Sequence, residues 1–384
     1  MDEGFAARIA AELAGAPATA TGVAIIRLEA LRRNYRKLRA LAAPAKTAAV
    51  VKANAYGLGA AEVFAALNAE GCEIAFVATI EEARALRARF PLVAIYVFDG
   101  LLPGSGPQFE DIEARPVLGS LDEIREWSAF CRDRGKRYPA ALHLDTGINR
   151  LGLPAKDAEQ LRGAPEMLAG FDLRLVMSHL ACADDAAHGK NEAQRARFEA
   201  LSALFPGTPR SLANSGGILL GPAFHFDLTR PGIALYGGRA STSSENPMEP
   251  VLWLFGRIAQ LRWAEAGETV GYGAAQTLKR RTRIATVTAG YADGYFRSAS
   301  ASDTREGPSG YTGNYRLPLL GRVSMDLTMF DATDVPDECV RRGGFVELIG
   351  ERVTADDFAA FAGTTGYEIL TSLGRRYVRI YTDE

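Results

Sequence analysis

Between residues 48 and 237, short apolar runs alternate with longer stretches of helical period, and nothing else in the sequence restricts the fold so strongly. Such alternation is the mark of βα units laid against a parallel sheet. Eight strands are predicted, near residues 48–52, 73–77, 93–97, 115–118, 140–144, 173–178, 210–213 and 227–230. Eight parallel strands favour a closed (β/α)8 barrel of the TIM type over an open doubly wound sheet. At Ala240-Ser241-Thr242-Ser243-Ser244-Glu245-Asn246-Pro247 the alanine-rich helical character stops, and alternating, β-branched sequence follows. Strands are predicted there over 251–262, 283–289, 316–320, 326–330 and 344–349, helices over 355–362 and 366–373, and a long loop over 298–313. The expected organisation is an N-terminal extension (1–21), an α/β barrel domain (22–240) and a mainly β C-terminal domain (241–384).

With 384 residues and 47% hydrophobic content, the chain can bury two sizeable cores. Forty-four basic residues oppose 46 acidic ones and no basic run is present, so neither nucleic acid nor an anionic membrane is an expected partner. Cys72, Cys131, Cys182 and Cys339 are widely spaced and form no CxxC pair, which argues against a disulfide framework or structural zinc. Residues 1–21 lack the basic start and clean apolar core of a signal peptide, and no apolar stretch is long enough to span a bilayer. A cytoplasmic location is expected.

Chemistry is expected at the carboxyl ends of the barrel strands. Lys52, Phe98-Asp99, Asp145-Thr146, Ser178-His179, Asn214-Ser215 and Arg230 all fall there. Lys52 stands out because it ends the apolar run Ala48-Ala49-Val50-Val51. Desolvation favours the neutral amine, and a neutral amine can bond covalently to a carbonyl cofactor such as pyridoxal phosphate. The bland alternative is a lysine that reaches solvent along its own methylenes. His179, Cys182 and Asp184 have offsets that match no metal-ligand pattern, so no metal is expected. His225-Phe226-Asp227 reads as structural, and Gly271-Tyr272-Gly273 lacks the third glycine of a dinucleotide fingerprint.

The string Val50-Val51-Lys52-Ala53-Asn54-Ala55-Tyr56-Gly57 resembles the cofactor-lysine motif of the alanine racemases. His143-Leu144-Asp145-Thr146-Gly147-Ile148-Asn149-Arg150-Leu151-Gly152 is similar to the family's second motif. Ser178-His179-Leu180-Ala181-Cys182-Ala183-Asp184 and Asn214-Ser215 with Arg230-Pro231-Gly232-Ile233 continue the likeness. So do Gly271-Tyr272-Gly273, Gly290-Tyr291-Ala292-Asp293-Gly294, Gly321-Arg322-Val323-Ser324-Met325-Asp326 and Gly366-Tyr367-Glu368.

The resemblance implies a pyridoxal-phosphate-dependent isomerase that interconverts L- and D-alanine, either for peptidoglycan synthesis or in alanine catabolism. It places Lys52 on the cofactor and makes it one of two bases. Tyr272, contributed by the partner of a homodimer with shared sites, is the other. Bases on opposite faces of Cα spare a single residue from crossing the cofactor plane, and His179 and Arg230 are the groups that would favour a phenolate. Arg230 would face the pyridine nitrogen and, being a donor only, would leave it unprotonated, which suppresses transamination. Tyr56, Ser215, Gly232, Ile233 and Tyr367 resemble the phosphate binders, with Asn214 beside them and Arg150 on the phenolic oxygen. Arg150, Tyr291 and Met325 would meet substrate, Tyr291 and Met325 with Tyr367 narrowing the entrance to little more than a methyl group. A strand over 23–27 would join the C-terminal domain.

Rival readings are a racemase of broader small-amino-acid specificity such as serine, a decarboxylase of the same architecture, and a non-catalytic carrier of pyridoxal phosphate. The last lacks a second base, and Tyr272 speaks against it. The sequence departs from the family pattern at Leu58, usually histidine, and at His143. Many relatives carry at the second position a lysine that becomes an anionic carbamate and orients the arginine corresponding to Arg150. A neutral imidazole supplies no such charge.

Overall fold

The computed structural model describes residues 3–383. Chain contacts divide them into one unit of residues 31–249 and another of residues 1–30 with 250–384.

The first unit is the expected barrel. Its strands are Lys46–Thr47 with Ala49–Val50, Ile74–Val77, Ala94–Val97, Arg115–Leu118, Pro139–His143, Asp172–Met177, Arg210–Ser211 and Leu228–Thr229. Neighbours pair in parallel from Ala49–Val50 through to Arg210–Ser211. Leu228–Thr229 pairs in parallel with Lys46–Thr47, and Arg230 N donates to Ala213 O, so the eighth strand links the seventh to the first and closes the ring. These strands are short, and Ala49–Val50, Ile74–Val77 and Ala94–Val97 are rich in apolar residues because helices cover their outer face and their own side chains fill the interior. Phe76 stacks between Tyr96 (centroids 4.8 Å apart) and Phe98 (5.0 Å).

The polar segment after residue 240 stays with the barrel. Asn34, buried on the helix Leu28–Ala42, donates to Leu235 O and Glu249 O and accepts from Glu249 N, while Arg33 grips the Glu249 carboxylate with two contacts of 2.7 Å. The contact boundary therefore falls at 249/250, later than the change in composition at 240/241.

In the second unit the long strand Leu252–Ala264 opens and closes a ring with Thr282–Val287, Thr328–Asp331, Tyr315–Leu320, Ser309–Thr312 and Phe345–Ile349. A register shift between Ile258 and Gln260 lets the one strand serve two neighbours. Gly22–Arg27 pairs antiparallel with Leu252–Ala264 and parallel with Tyr377–Thr382. The helix Glu3–Gly15 contributes Ile9 and Leu13 to a cluster built on Val23, Ile25, Trp253 and Phe255. The C-terminal part is thus mainly β, as expected, but Ser309–Thr312 is a strand where the sequence suggests loop. Its glycine is needed: a Cβ on Gly310 would lie 2.5 Å from Val346 Cγ1.

Candidate active site

Lys52 follows the first barrel strand at its carboxyl end, and the backbone beyond it turns the wrong way for L-residues. Ala53, Asn54, Ala55 and Tyr56 have φ of 52°, 54°, 53° and 54°. Such left-handed geometry costs roughly 1–2 kcal/mol per residue, so the surroundings must hold it. They do so through Ala55 N to Val51 O, Gly57 N to Ala53 O, Gly59 N to Asn54 O and Ala60 N to Asn54 Oδ1. Ala53 N also donates to Glu82 Oε1 at 2.6 Å. The Lys52 amine lies 5.7 Å from the Phe98 ring centre. Burial, and next the positive charge of Arg150, lower its pKa from the ordinary lysine value, which favours the neutral nucleophile.

Beyond the fifth strand, Asp145 Oδ1 accepts the N–H groups of Gly147, Ile148 and Asn149 and so folds the loop that presents Arg150. Arg150 is exposed. Buried Gln194 ties this loop to the next rim residue: its Nε2 donates to Thr146 Oγ1 (3.1 Å) and His179 O (2.9 Å), and its Oε1 accepts Ala181 N. His143 is 5% exposed and its Nε2 has no hydrogen-bond partner. Burial, then the charges of Arg230 and Arg150, push its pKa down to about 4. His179 lies well below the usual histidine value for the same first cause, followed by the same two arginines. Both imidazoles are neutral near pH 7.

Arg230 is 2% exposed. One guanidinium nitrogen donates to Ser211 Oγ, another to Ser178 O at 2.6 Å, and Nε has no acceptor. Burial lowers its pKa to about 9, which still leaves it protonated at neutral pH. Nearby, Asn214 Oδ1 caps the short helix Ser215–Leu219 by accepting Gly217 N, and Ser215 Oγ accepts Gly232 N (2.9 Å) and Ala234 N (3.3 Å). Gly232 is required at this corner because a Cβ there would sit 2.4 Å from Tyr56 Oη. The first N–H groups of this helix, and that of Ile233 opening the turn Ile233–Tyr236, belong to the class that a helix leaves for an anion.

The second unit gathers its own set. Tyr272 is 68% exposed between Gly271 and Gly273, both at φ 72°. Gly321 N donates to Gln276 Oε1, which ties the segment after Tyr272 to the loop that reaches Met325. Tyr291 N and Ala292 N donate to Ser324 O and Met325 O, and a Cβ on Gly290 would collide with Met325 O at 2.3 Å. Arg376 then bridges Asp293 (2.9 Å) and Asp326 (2.8 Å), locking the Tyr291 turn to the Met325 loop. Tyr367 sits, partly exposed, in the first turn of the helix Gly366–Thr371.

Residues 26–240 match the alanine racemase N-terminal domain and residues 251–381 the C-terminal domain. The chain belongs to the alanine racemase family. It is 48% identical to the biosynthetic alanine racemase of Agrobacterium fabrum (92% of each chain covered) and 47% identical to the catabolic one from the same organism (94% of this chain, 92% of that one). The crystal structure of alanine racemase from Bartonella henselae with covalently bound pyridoxal phosphate superposes with a TM-score of 0.89 at 40% identity, covering 94% of this chain and all of that one.

Of the residues expected from the family motifs, Lys52, Tyr56, Arg150, His179, Asn214, Ser215, Arg230, Gly232 and Ile233 lie at one rim of the barrel, after the first, fifth, sixth, seventh and eighth strands. Tyr272, Tyr291, Met325 and Tyr367 lie on loops or first helical turns of the second unit. His225 is structural: it is buried and its Nε2 meets Ile218 O at 2.9 Å. No cluster suited to a metal is found among the described residues. Two participants escaped the sequence reading. Gln194 carries no local signal, whereas Glu82 ends the string Thr79-Ile80-Glu81-Glu82, a capping pattern visible directly after a strand.

Proposed function

We propose that the protein is a pyridoxal-phosphate-dependent racemase that interconverts L- and D-alanine with two bases, Lys52 and the partner subunit's Tyr272. One observation within the barrel carries the reading: a lysine with a lowered pKa shares a rim with a buried guanidinium whose Nε lacks an acceptor. The residues present fit pyridoxal phosphate. Arg230 would meet its ring nitrogen, Arg150 its phenolic oxygen, and Tyr56, Ser215, Gly232, Ile233 and Tyr367 its phosphate. When bound, the cofactor supplies the electron sink that makes the substrate Cα proton acidic.

The remaining work belongs to the chain. Lys52, its pKa lowered by burial, would hold or return a proton on one face of Cα, and the partner subunit's Tyr272 on the other. Arg230 donates and cannot accept, so it keeps the ring nitrogen unprotonated and limits misdirected protonation. Neutral His179 leaves the rim's positive charge to the arginines. Tyr291 and Met325 would restrict the side chain to a small group. Relatives of the biosynthetic and catabolic kinds stand at nearly equal identity, so the proposal concerns the reaction and covers either role. The test is incubation with L-alanine, L-serine and larger amino acids, following optical rotation and carbon dioxide release. Loss of rotation with alanine alone is expected. Faster change with serine, or released carbon dioxide, would refute the assignment.

His143 makes a separate prediction, because a buried neutral imidazole replaces the anionic carbamate of many relatives. Activity should survive exhaustive removal of bicarbonate, and His143→Ala should lower kcat/KM by about tenfold or less, ~1.4 kcal/mol. The pH dependence has a definite sign. Unfolded histidine takes a proton near pH ~6.5 and the folded one near 4, so stability present above pH ~6.5 is lost as pH falls toward 4, by at most on the order of 3 kcal/mol. Thermal melts of His143→Ala across that window should therefore slope less than wild type. A several-thousandfold loss of activity, or strong bicarbonate dependence, would contradict this account.

A further inference from the structure

The left-handed turn after Lys52 is held by hydrogen bonds within its own segment, and one carboxylate from the next βα unit adds a link from outside. Glu82 is the third residue of the helix Ile80–Arg87, whose cap is Thr79: its Oγ1 accepts Glu82 N at 3.3 Å. In an ordinary capping box the third-position carboxylate returns to the N–H of the cap. Glu82 reaches elsewhere. Its Oε2 accepts Ala78 N at 2.8 Å, one residue before the cap, and its Oε1 accepts Ala53 N at 2.6 Å. The second contact fixes the residue directly after Lys52, at the first left-handed position.

The same chain contains the device a second time. Ser120 Oγ accepts Glu123 N at 3.2 Å, Glu123 Oε2 accepts Gly119 N at 2.8 Å, and Oε1 accepts Leu101 N at 2.9 Å. Gly119 precedes the cap as Ala78 does, and Leu101 lies in the loop after the preceding strand as Ala53 does. The loop at Leu101 begins with Phe98-Asp99 at the strand end but carries none of the residues that the family motifs place on cofactor or substrate, so Glu123 braces a loop outside that set. Glu123 Oε2 also accepts the Ser120 hydroxyl at 3.0 Å, but otherwise Glu82 makes the same kind of bridge, which there ends on the lysine turn, and its charge also raises the Lys52 pKa against burial and Arg150.

We propose that Glu82 is a positioning residue for Lys52, acting through Ala53 N to keep the left-handed turn that aims the amine. The inference rests on Lys52 being the cofactor lysine. Without the carboxylate, Ala53 N loses its acceptor and the turn can relax toward right-handed geometry, which points the lysine away without removing it. Gln at this position keeps one acceptor oxygen but sets an NH2 group against the other N–H, so one of the two links breaks.

Glu123→Gln is the built-in control. Full-length wild type, Glu82→Gln and Glu123→Gln would be stripped of pyridoxal phosphate and reloaded. Capture would be followed by visible absorbance, by borohydride labelling of the Lys52 peptide, and beside thermal melts. Both variants should lose similar stability, but Glu82→Gln should capture the cofactor about tenfold or more slowly while Glu123→Gln stays within about twofold of wild type. Should Glu82→Gln fail to fold, Glu82→Asp, too short to span both N–H groups, takes its place with the same expectation. Equal capture rates in the two variants, whether both normal or both slow, would make Glu82 a scaffold residue and overturn the proposal. Wild-type labelling at another lysine would instead overturn the cofactor assignment on which it rests.

Discussion

Lys52→Ala is expected to abolish the visible absorbance of the cofactor-loaded protein and to reduce racemisation by at least roughly a thousandfold, ~4 kcal/mol. The size follows from the loss of the lysine that ends the first barrel strand, for which its neighbours in sequence are no substitute. Lys46 stands exposed at the opposite, amino end of the same barrel strand, and Lys37 lies on a helix with its amine donating to Pro247 O at 2.8 Å. Neither can reach the rim where Arg230 and Ser215 sit without rebuilding the barrel. Borohydride reduction of wild type followed by peptide mapping should place the pyridoxyl label on Lys52. Label on Lys46 or Lys37 with Lys52 unmodified would end the assignment, whatever the activity of the variant. The substitution itself should leave stability nearly unchanged, since Lys52 is half-buried and removing its amine relieves a desolvated group.

Much of this site is legible in sequence because the barrel converts position along the chain into position on a rim. A residue that follows an apolar run of strand length must stand at the carboxyl end, and the residues read this way, from Lys52 to Arg230, do so even where the seventh and eighth strands shrink to Arg210–Ser211 and Leu228–Thr229. What the sequence hides depends on distant partners. Tyr377–Thr382 alternates Val378 and Ile380 with polar residues, yet its neighbour in the sheet is Gly22–Arg27 at the other end of the chain. Of the hairpin Ser309–Thr312 with Tyr315–Leu320, the second strand is expected from sequence but the first falls within the predicted loop, although Gly313-Asn314 is a two-residue hairpin signal, because Gly310 reads as loop when the close approach of Val346 is unknown. The left-handed turn at Ala53 to Tyr56 is hidden for the same reason. No single residue there requires positive φ, and only the carboxylate of Glu82 and the carbonyls around it make the turn tolerable.

Mixing two inactive variants should restore activity. Tyr272 is 68% exposed on a turn held by Gly271 and Gly273, a costly place for a large aromatic ring unless another surface covers it. Met325 is 53% exposed and Tyr291 38%, and hydrogen bonds lock the loops of these two residues together, so the unit presents a preformed group. If that group completes the barrel rim of a second copy, a Lys52→Ala chain still supplies a sound Tyr272, and a Tyr272→Phe chain still supplies a sound Lys52. A heterodimer then has one site with both bases intact and one with neither. Random reassociation makes heterodimers about half of all dimers, with one competent site in two, so activity should recover to about a quarter of wild type per site. Each variant alone should remain lower by orders of magnitude, because losing either base leaves one face of Cα without its proton partner. Equilibrium sedimentation would confirm that the mixture is dimeric. No recovery from a dimeric, fully exchanged mixture would mean that each site takes both bases from one chain, and the shared-site reading would fall while the assignments of Lys52 and Tyr272 stood.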